Sequence, residues 1–281
     1  MQRNKLDMGK AWTQATGLIG SNRETVTAVA GLFFFLPSFA GGVFVPEIAP
    51  PAGAGPSGAD PEVAFRALMD QMTTLYAANW PLLLALTVIQ FIGSMGLFAL
   101  LTDRGNPTVG EALGTGLKSI PTYIAAQLIS AVGIGLAIGI VLALLTLAVP
   151  AAAMLAVVLA IPVALYLFIK FALTAPVIAI EGERNPITAL LRSWKLTKGN
   201  SFRIVLFLFL LMFTIGILAA LVSGILGLVL SAFGEPVASI GIDLVSALVN
   251  ALVTVIFLVV TVAIHRQLAG PSTGALAETF E

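Results

Sequence analysis

The sequence predicts an all-α, polytopic membrane protein with six transmembrane helices. Three observations carry that expectation. The 281 residues are 58% hydrophobic and only 10% charged, with a mean hydropathy of +1.03, whereas soluble domains run to about a quarter charged. Six apolar runs reach the ~20 residues that cross ~30 Å of hydrocarbon at ~1.5 Å per residue. The cations gather in segments that alternate topology would place on one side of the membrane.

The six runs are roughly 25–45, 80–101, 121–148, 151–175, 201–232 and 237–264. Turn punctuation separates the close pairs: Pro150 divides the third from the fourth, and Gly234-Glu235-Pro236 the fifth from the sixth. Lipid offers the backbone no hydrogen bonds, and these runs are too long for barrel strands, so each reads as a helix. Residues 1–24 are polar and mixed, and the apolar run from Thr25 continues through FFFLP, so Thr25–Val45 reads as a retained first span rather than a cleavable signal. Residues 1–270 are expected to form a single six-span membrane domain, with 271–281 a loose tail.

Orientation follows from Lys and Arg. With the N-terminus inside, the inner segments hold Arg3, Lys5, Lys10, Arg23, Arg104, Lys118, Arg184, Arg192, Lys195, Lys198, Arg203 and Arg266. The outer segments hold only Arg66, together with Glu47, Asp60, Glu62, Asp70 and Glu235. Both termini are therefore expected on the cytoplasmic side.

The inner link between spans four and five, NPITALLRSWKLTKGN, reads as a capped amphipathic helix. Asn185 suits the N-cap, Pro186 the first helical position and Gly199 the stop. Ile187, Leu190, Leu191 and Trp194 fall at i, i+3, i+4 and i+7, forming one apolar stripe. Arg192, Lys195 and Lys198 lie away from it, while Glu181 and Glu183 sit near the positive end of the helix dipole. Such a helix rests in the headgroup layer with Trp194 as an interface anchor. Arg184, Arg192, Trp194, Lys195, Lys198 and Arg203 are thus candidates for anionic headgroup binding, each cation contributing about 1 kcal/mol near the surface. The alternative is that the same charges only set topology.

The pattern recurs. Asn106-Pro107 opens a segment with Val109, Ala112, Leu113 and Gly116 at the same spacing, leading into span three. Met8, Ala11, Trp12, Ala15 and Ile19 form a third stripe ahead of span one, and Trp12 precedes Gly17 as Trp194 precedes Gly199. Three units of interfacial helix plus membrane hairpin are a possible reading; chance similarity among helices that precede spans is the other. Outside, Pro46–Asp60 is rich in Pro, Gly and Ala and reads as a flexible loop. Asp60-Pro61 then opens a further helix, with Phe65, Leu68, Met69, Met72 and Tyr76 on one face, expected to rest on the outer leaflet before Trp80-Pro81 starts span two.

Several chemistries are excluded. Zero net charge and no large basic face argue against nucleic acid. The absence of cysteine removes thiolate sites, and a single histidine, His265, removes any multi-histidine metal site. GTGLKS (Gly114–Ser119) lacks the adjacent Gly-Lys of a phosphate loop. Ser94 and His265 are expected at different depths, so no serine–histidine pair is read; Gly93, Ser94 and Gly96 instead permit close helix packing. No catalytic residue, cofactor or metal is expected.

Polar residues inside spans are costly and worth a reading. Asp243 is the one carboxylate well inside a span, Asn250 lies seven residues on along the same face, and Gln90 is near mid-membrane in span two. They serve either interhelical hydrogen bonding or a polar path. Lys170 is expected to snorkel to the headgroups. Gly135–Gly139 and Gly216, Ala220 and Gly224 form small-residue stripes expected to pack inside the bundle.

The segment APVIAIEGERNPITALLRSWKLTKG, Ala175–Gly199, resembles the signature of a bacterial integral-membrane family. That family is the membrane domain fused to some glycerophosphodiester phosphodiesterases and also found alone, as in YciC-like inner-membrane proteins. The matching positions are Pro176, Glu181, Ala189, Arg192, Ser193, Trp194, Leu196, Thr197, Lys198 and Gly199, with Lys195 where an acidic residue is often seen. The resemblance implies a six-helix inner-membrane protein. It does not carry over the phosphodiesterase activity, whose soluble domain needs acidic and histidine metal ligands. The expectation is a non-enzymatic protein that engages phospholipids, organising or moving them. A small-molecule permease or channel using the polar path is one alternative, and a scaffold subunit of a membrane complex another.

Overall fold

The computed structural model describes residues 5–46, 61–102, 108–148 and 153–270. The loop from residue 47 to Asp60, Arg104, Asn106-Pro107, Pro150 and the tail from residue 271 lie outside them. Among the described residues every regular element is helical. The order is α1 Met8–Ser21, α2 Arg23–Phe44, α3 Pro61–Leu100, α4 Val109–Ala148, α5 Ala153–Phe171, α6 Pro186–Thr197, α7 Ser201–Ser231 and α8 Val237–Ala269. Six stretches are long and apolar enough to cross a membrane: Arg23–Phe44, Arg66–Leu100, Val109–Leu145, Val158–Glu181, Ser201–Ser231 and Val237–Ala269. The chain is an integral, multi-pass membrane protein.

Its outer surface shows why lipid is the solvent. Leu128, Val132, Leu136, Ile140 and Leu144 recur every four residues along α4 and are 58 to 64% exposed. In water such a stripe would be an association hazard; in hydrocarbon it costs nothing to leave uncovered.

Two expectations about helix boundaries are corrected. The segment before span two is no separate helix, because α3 runs unbroken for 40 residues through Pro81. Likewise α4 runs for 40 residues through Pro121, merging the helix expected before span three with the span itself. At ~1.5 Å per residue each is about 60 Å long, twice the hydrocarbon thickness. A proline removes one rung and crowds the carbonyl four residues back, which can be absorbed without ending a helix whose other rungs remain intact. A capping box starts α4, with the Thr108 N–H donating to Glu111 Oε2 at 2.9 Å and the Glu111 N–H to Thr108 Oγ1 at 3.3 Å.

The Trp–Gly parallel between α1 and α6 also parts here. Gly199, with φ +86°, follows the end of α6, whereas Gly17 lies inside α1, which continues to Ser21. Within α2 the residues Gly31–Phe35 widen into a π-helical turn in which the Leu36 N–H reaches Gly31 O. Pro37 follows directly and has no N–H to give, so the turn ahead of it relaxes outward.

The chain divides into two compact units, one of Met1–Thr27, Ile92–Ile217 and Val255–Glu281, the other of Ala28–Phe91 and Leu218–Thr254. The first holds the densest core, with Met95, Leu97, Phe98, Leu173, Ile178, Ile204, Val259 and Ile264 buried. Within it α3 and α4 approach closely at two glycines. A Cβ on Gly116 would sit 2.6 Å from Gly96 N, and one on Gly96 would sit 2.7 Å from Leu113 Cδ2. Gly96 thus has the packing role expected of it. The stripes at Gly135–Gly139 and Gly216–Gly224 do not: a Cβ on any of Gly135, Gly139, Gly216 or Gly224 would meet nothing within 4 Å. Spacing by four puts small residues on one face but does not say which way that face turns.

In the second unit, α2 meets α8 through polar and small residues. Asn250 Nδ2 donates to Ser38 Oγ at 2.8 Å. Asp243 packs its carboxyl group where a Cβ on Gly42 would be, 3.1 Å away. Ser38 and Gly42 are one turn apart on α2, as Asp243 and Asn250 are two turns apart on α8, so a single pair of faces accounts for all four.

Candidate functional site

The site is built where α5 ends. The helix stops at Phe171, and a short turn at Thr174–Pro176 and a π-helical turn at Val177–Glu181 carry the chain on to Gly182, φ +76°. A helix that stops inside a protein leaves carbonyl and N–H groups without partners. Ser193 of α6 supplies them: its hydroxyl donates to Lys170 O at 2.7 Å and accepts from Leu173 N–H at 3.2 Å.

That bond sets how α6 lies. Asn185 caps it as the sequence indicates, accepting from Ile187 N–H at 2.9 Å and Thr188 N–H at 3.3 Å. The face turned inward, however, is Ala189, Leu190, Ser193, Leu196 and Thr197, not the full expected stripe. Of that stripe, Leu190 is buried, but Ile187 and Leu191 are each 57% exposed. The small Ala189 and Ser193 let α6 approach the broken end of α5, which a face of large apolar residues would prevent. Ile187, Leu190, Leu191 and Trp194 join Phe171 around an apolar hollow of about 420 Å³.

Glu181 is the electrostatic centre. Its Oε2 accepts from Arg192 Nε at 3.0 Å, and its Oε1 lies 3.0 Å from Nε2 of His265 on α8. His265 is almost wholly buried. Its Nδ1 has no hydrogen-bond partner among the described residues, which fits a tautomer with the proton on Nε2, donated to Glu181, and a bare acceptor at Nδ1. Sequence reasoning placed Glu181 near a helix dipole and His265 at a helix end, and nothing in their spacing pairs them.

Lys170 departs from expectation. It does not snorkel: it is only 3% exposed, with its ammonium 5.2 Å from the Tyr166 ring centre and 5.3 Å from that of Trp194. The Tyr166 and Trp194 rings meet edge-on at 6.0 Å. Cation–π attraction partly replaces lost hydration. No carboxylate pairs with Lys170 among the described residues.

The other expected headgroup cations divide into two groups. Three are tied within the fold. Arg184 donates to Lys118 O at 2.7 Å, Arg192 is held by Glu181, and Arg203 donates to Leu6 O at 3.1 Å. The last acts with Asn200, whose Oδ1 accepts from Leu6 N–H at 3.0 Å, so the segment before α1 is strapped to α7. Lys195 and Lys198 are exposed beside Trp194, with no carboxylate partner among the described residues. Of the intramembrane polar residues, Asp243 and Asn250 face α2 as described, and Gln90 lies half-buried on α3. Neither the α6 hollow nor the Glu181 cluster includes any of these three.

Residues 146–269 match the family of the membrane domain of glycerophosphoryl diester phosphodiesterase. The resemblance carried by Ala175–Gly199 therefore extends across α5 to α8. What is matched is the membrane part of that family and not its catalytic domain. No curated protein and no solved structure matches the chain. Within the matched region the residues that carry the resemblance have visible physical tasks: Glu181 and Arg192 pair, Ser193 completes the end of α5, Trp194 covers Lys170, Thr197 bonds back to Ser193 O at 3.0 Å, and Gly199 turns the chain.

Proposed function

We propose that this chain is a non-enzymatic protein of the bacterial inner membrane, with both termini in the cytoplasm, that engages anionic phospholipid at α6. One observation carries the reading: Lys170 is buried against two aromatic rings with no carboxylate partner among the described residues. A buried cation without a counter-ion is costly, and a lipid phosphate beside it relieves that cost. Trp194, one of the two rings beside Lys170, also lines the apolar hollow with Phe171, Ile187 and Leu191, and that hollow suits an acyl chain. The headgroup set accordingly narrows to Lys170, Lys195, Lys198 and Trp194, because Arg184, Arg192 and Arg203 are engaged within the fold.

The test is lipid co-purification with the full chain, read by native mass spectrometry. Lys195→Glu with Lys198→Glu is expected to lose bound phosphatidylglycerol and cardiolipin by roughly 30-fold, taking about 1 kcal/mol per cation removed. Bound phosphatidylethanolamine should stay constant. Unchanged anionic lipid in a correctly folded variant defeats the reading.

A further inference from the structure

A second hollow lies in the same compact unit, between α3, α4, the end of α5 and α8, and it differs in chemistry from the one beside α6. Its volume is about 310 Å³, near the lower bound of the ~300–1,000 Å³ typical of small-molecule sites. Five polar side chains line it: Ser94, Tyr123, Gln127, Ser130 and Thr261. Its apolar walls include Phe98, Phe168 and Phe257. No charged residue is among its lining in the described residues.

The hydrogen-bonding state of these groups narrows what fits. Ser130 Oγ donates to Gln127 O at 2.9 Å, and Thr261 Oγ1 donates to Phe257 O at 2.7 Å. Both hydroxyl oxygens have therefore spent their proton on a helix carbonyl and face a ligand as acceptors. Gln127 is exposed within an apolar span, and its carboxamide has no protein partner among the described residues. A carboxamide in hydrocarbon without partners is costly. Its NH2 offers donors, and its carbonyl a further acceptor. The complementary ligand thus carries a hydroxyl donor and carbonyl acceptors, and no charge, because a phosphate here would be desolvated without a counter-ion. Phe168 lines the hollow and is itself exposed on α5, so a chain leaving the hollow along it meets apolar surface.

We propose that this hollow binds the glycerol end of an uncharged diacylglycerol-type lipid, its free hydroxyl donating its one proton to Ser130 Oγ or Thr261 Oγ1 and an ester carbonyl accepting from Gln127. The volume suits the glycerol and ester groups, while the acyl chains leave past Phe168 into the bilayer. The site is independent of the basic residues beside α6 and does not rest on them.

The experiment is photolabelling of the full chain in nanodiscs with a diazirine-bearing diacylglycerol, mapped by mass spectrometry. Saturable labelling is expected on peptides containing Gln127 and Phe168. Unlabelled diacylglycerol should compete at least about tenfold better than phosphatidic acid of the same chains. Gln127→Leu is expected to weaken labelling by about tenfold, the equivalent of one net hydrogen bond. Ala131→Phe, which fills the hollow from its α4 wall, should abolish it. Lys195→Glu with Lys198→Glu should leave it unchanged, which separates this site from the anionic one. Equal competition by phosphatidic acid, absence of saturable labelling in the wild-type protein, or retention of labelling in folded Gln127→Leu and Ala131→Phe each overturns the proposal. Where a variant does not fold, the wild-type competition series alone decides.

Discussion

Glu181 Oε1 lies 3.0 Å from Nε2 of His265, across 84 residues of sequence. Through its other oxygen the same carboxylate holds Arg192. Three elements therefore meet at one side chain: the π-helical turn after α5, the amphipathic helix α6, and α8.

Removing the carboxylate leaves a buried imidazole N–H with no acceptor. Glu181→Gln keeps one acceptor and should cost less than Glu181→Ala, which is expected to lose about 1–3 kcal/mol. Thermal unfolding in detergent checks this. A double-mutant cycle with His265→Ala should return a coupling of about 0.5–3 kcal/mol. Strict additivity would mean that the contact contributes nothing.

Ser193 tests whether the broken end of α5 needs α6. Ser193→Ala leaves the Leu173 N–H and the Lys170 carbonyl without this partner, at about 1–3 kcal/mol for an unmade buried bond. Proteolysis after Gly182 should rise as α6 loosens. An unchanged melting temperature and cleavage pattern would show that the bond does not hold α6 in place.

Glycines of the same spacing should respond in opposite ways. Gly116→Ala drives a methyl into the Gly96 backbone and is expected to destabilise by about 1–3 kcal/mol. Gly135→Ala and Gly139→Ala meet open space and should be neutral, or stabilising by up to about 1 kcal/mol through helix propensity. Melting curves of the three variants side by side make the comparison.

The α2–α8 contact offers a measurement of hydrogen bonding in lipid. A Ser38→Ala and Asn250→Ala cycle is expected near 0.6 kcal/mol, the usual scale for such pairs in membranes. Gly42→Ala should be destabilising because of the Asp243 carboxyl group, and Asp243→Ala should rescue it. If the double variant is no better than Gly42→Ala alone, Asp243 is not what confines that glycine.

The sequence by itself determined the solvent, the number of crossings and the local grammar of α6. Hydrocarbon thickness demands runs of a fixed length, and Asn185, Pro186 and Gly199 act within a few residues of themselves, so both are written along the chain. Only the tertiary structure decided which polar groups meet. Glu181 finds His265, Arg203 finds the backbone of Leu6, and Gly116 rather than Gly135 faces a neighbour, because each depends on how a helix is rotated about its axis and what crosses it. Apolar content is nearly uniform around these helices, so hydropathy leaves that rotation undefined. The inward face of α6 was hidden for a different reason: its apolar stripe is plain in the sequence, but the small Ala189 and Ser193 beside that stripe set the close approach.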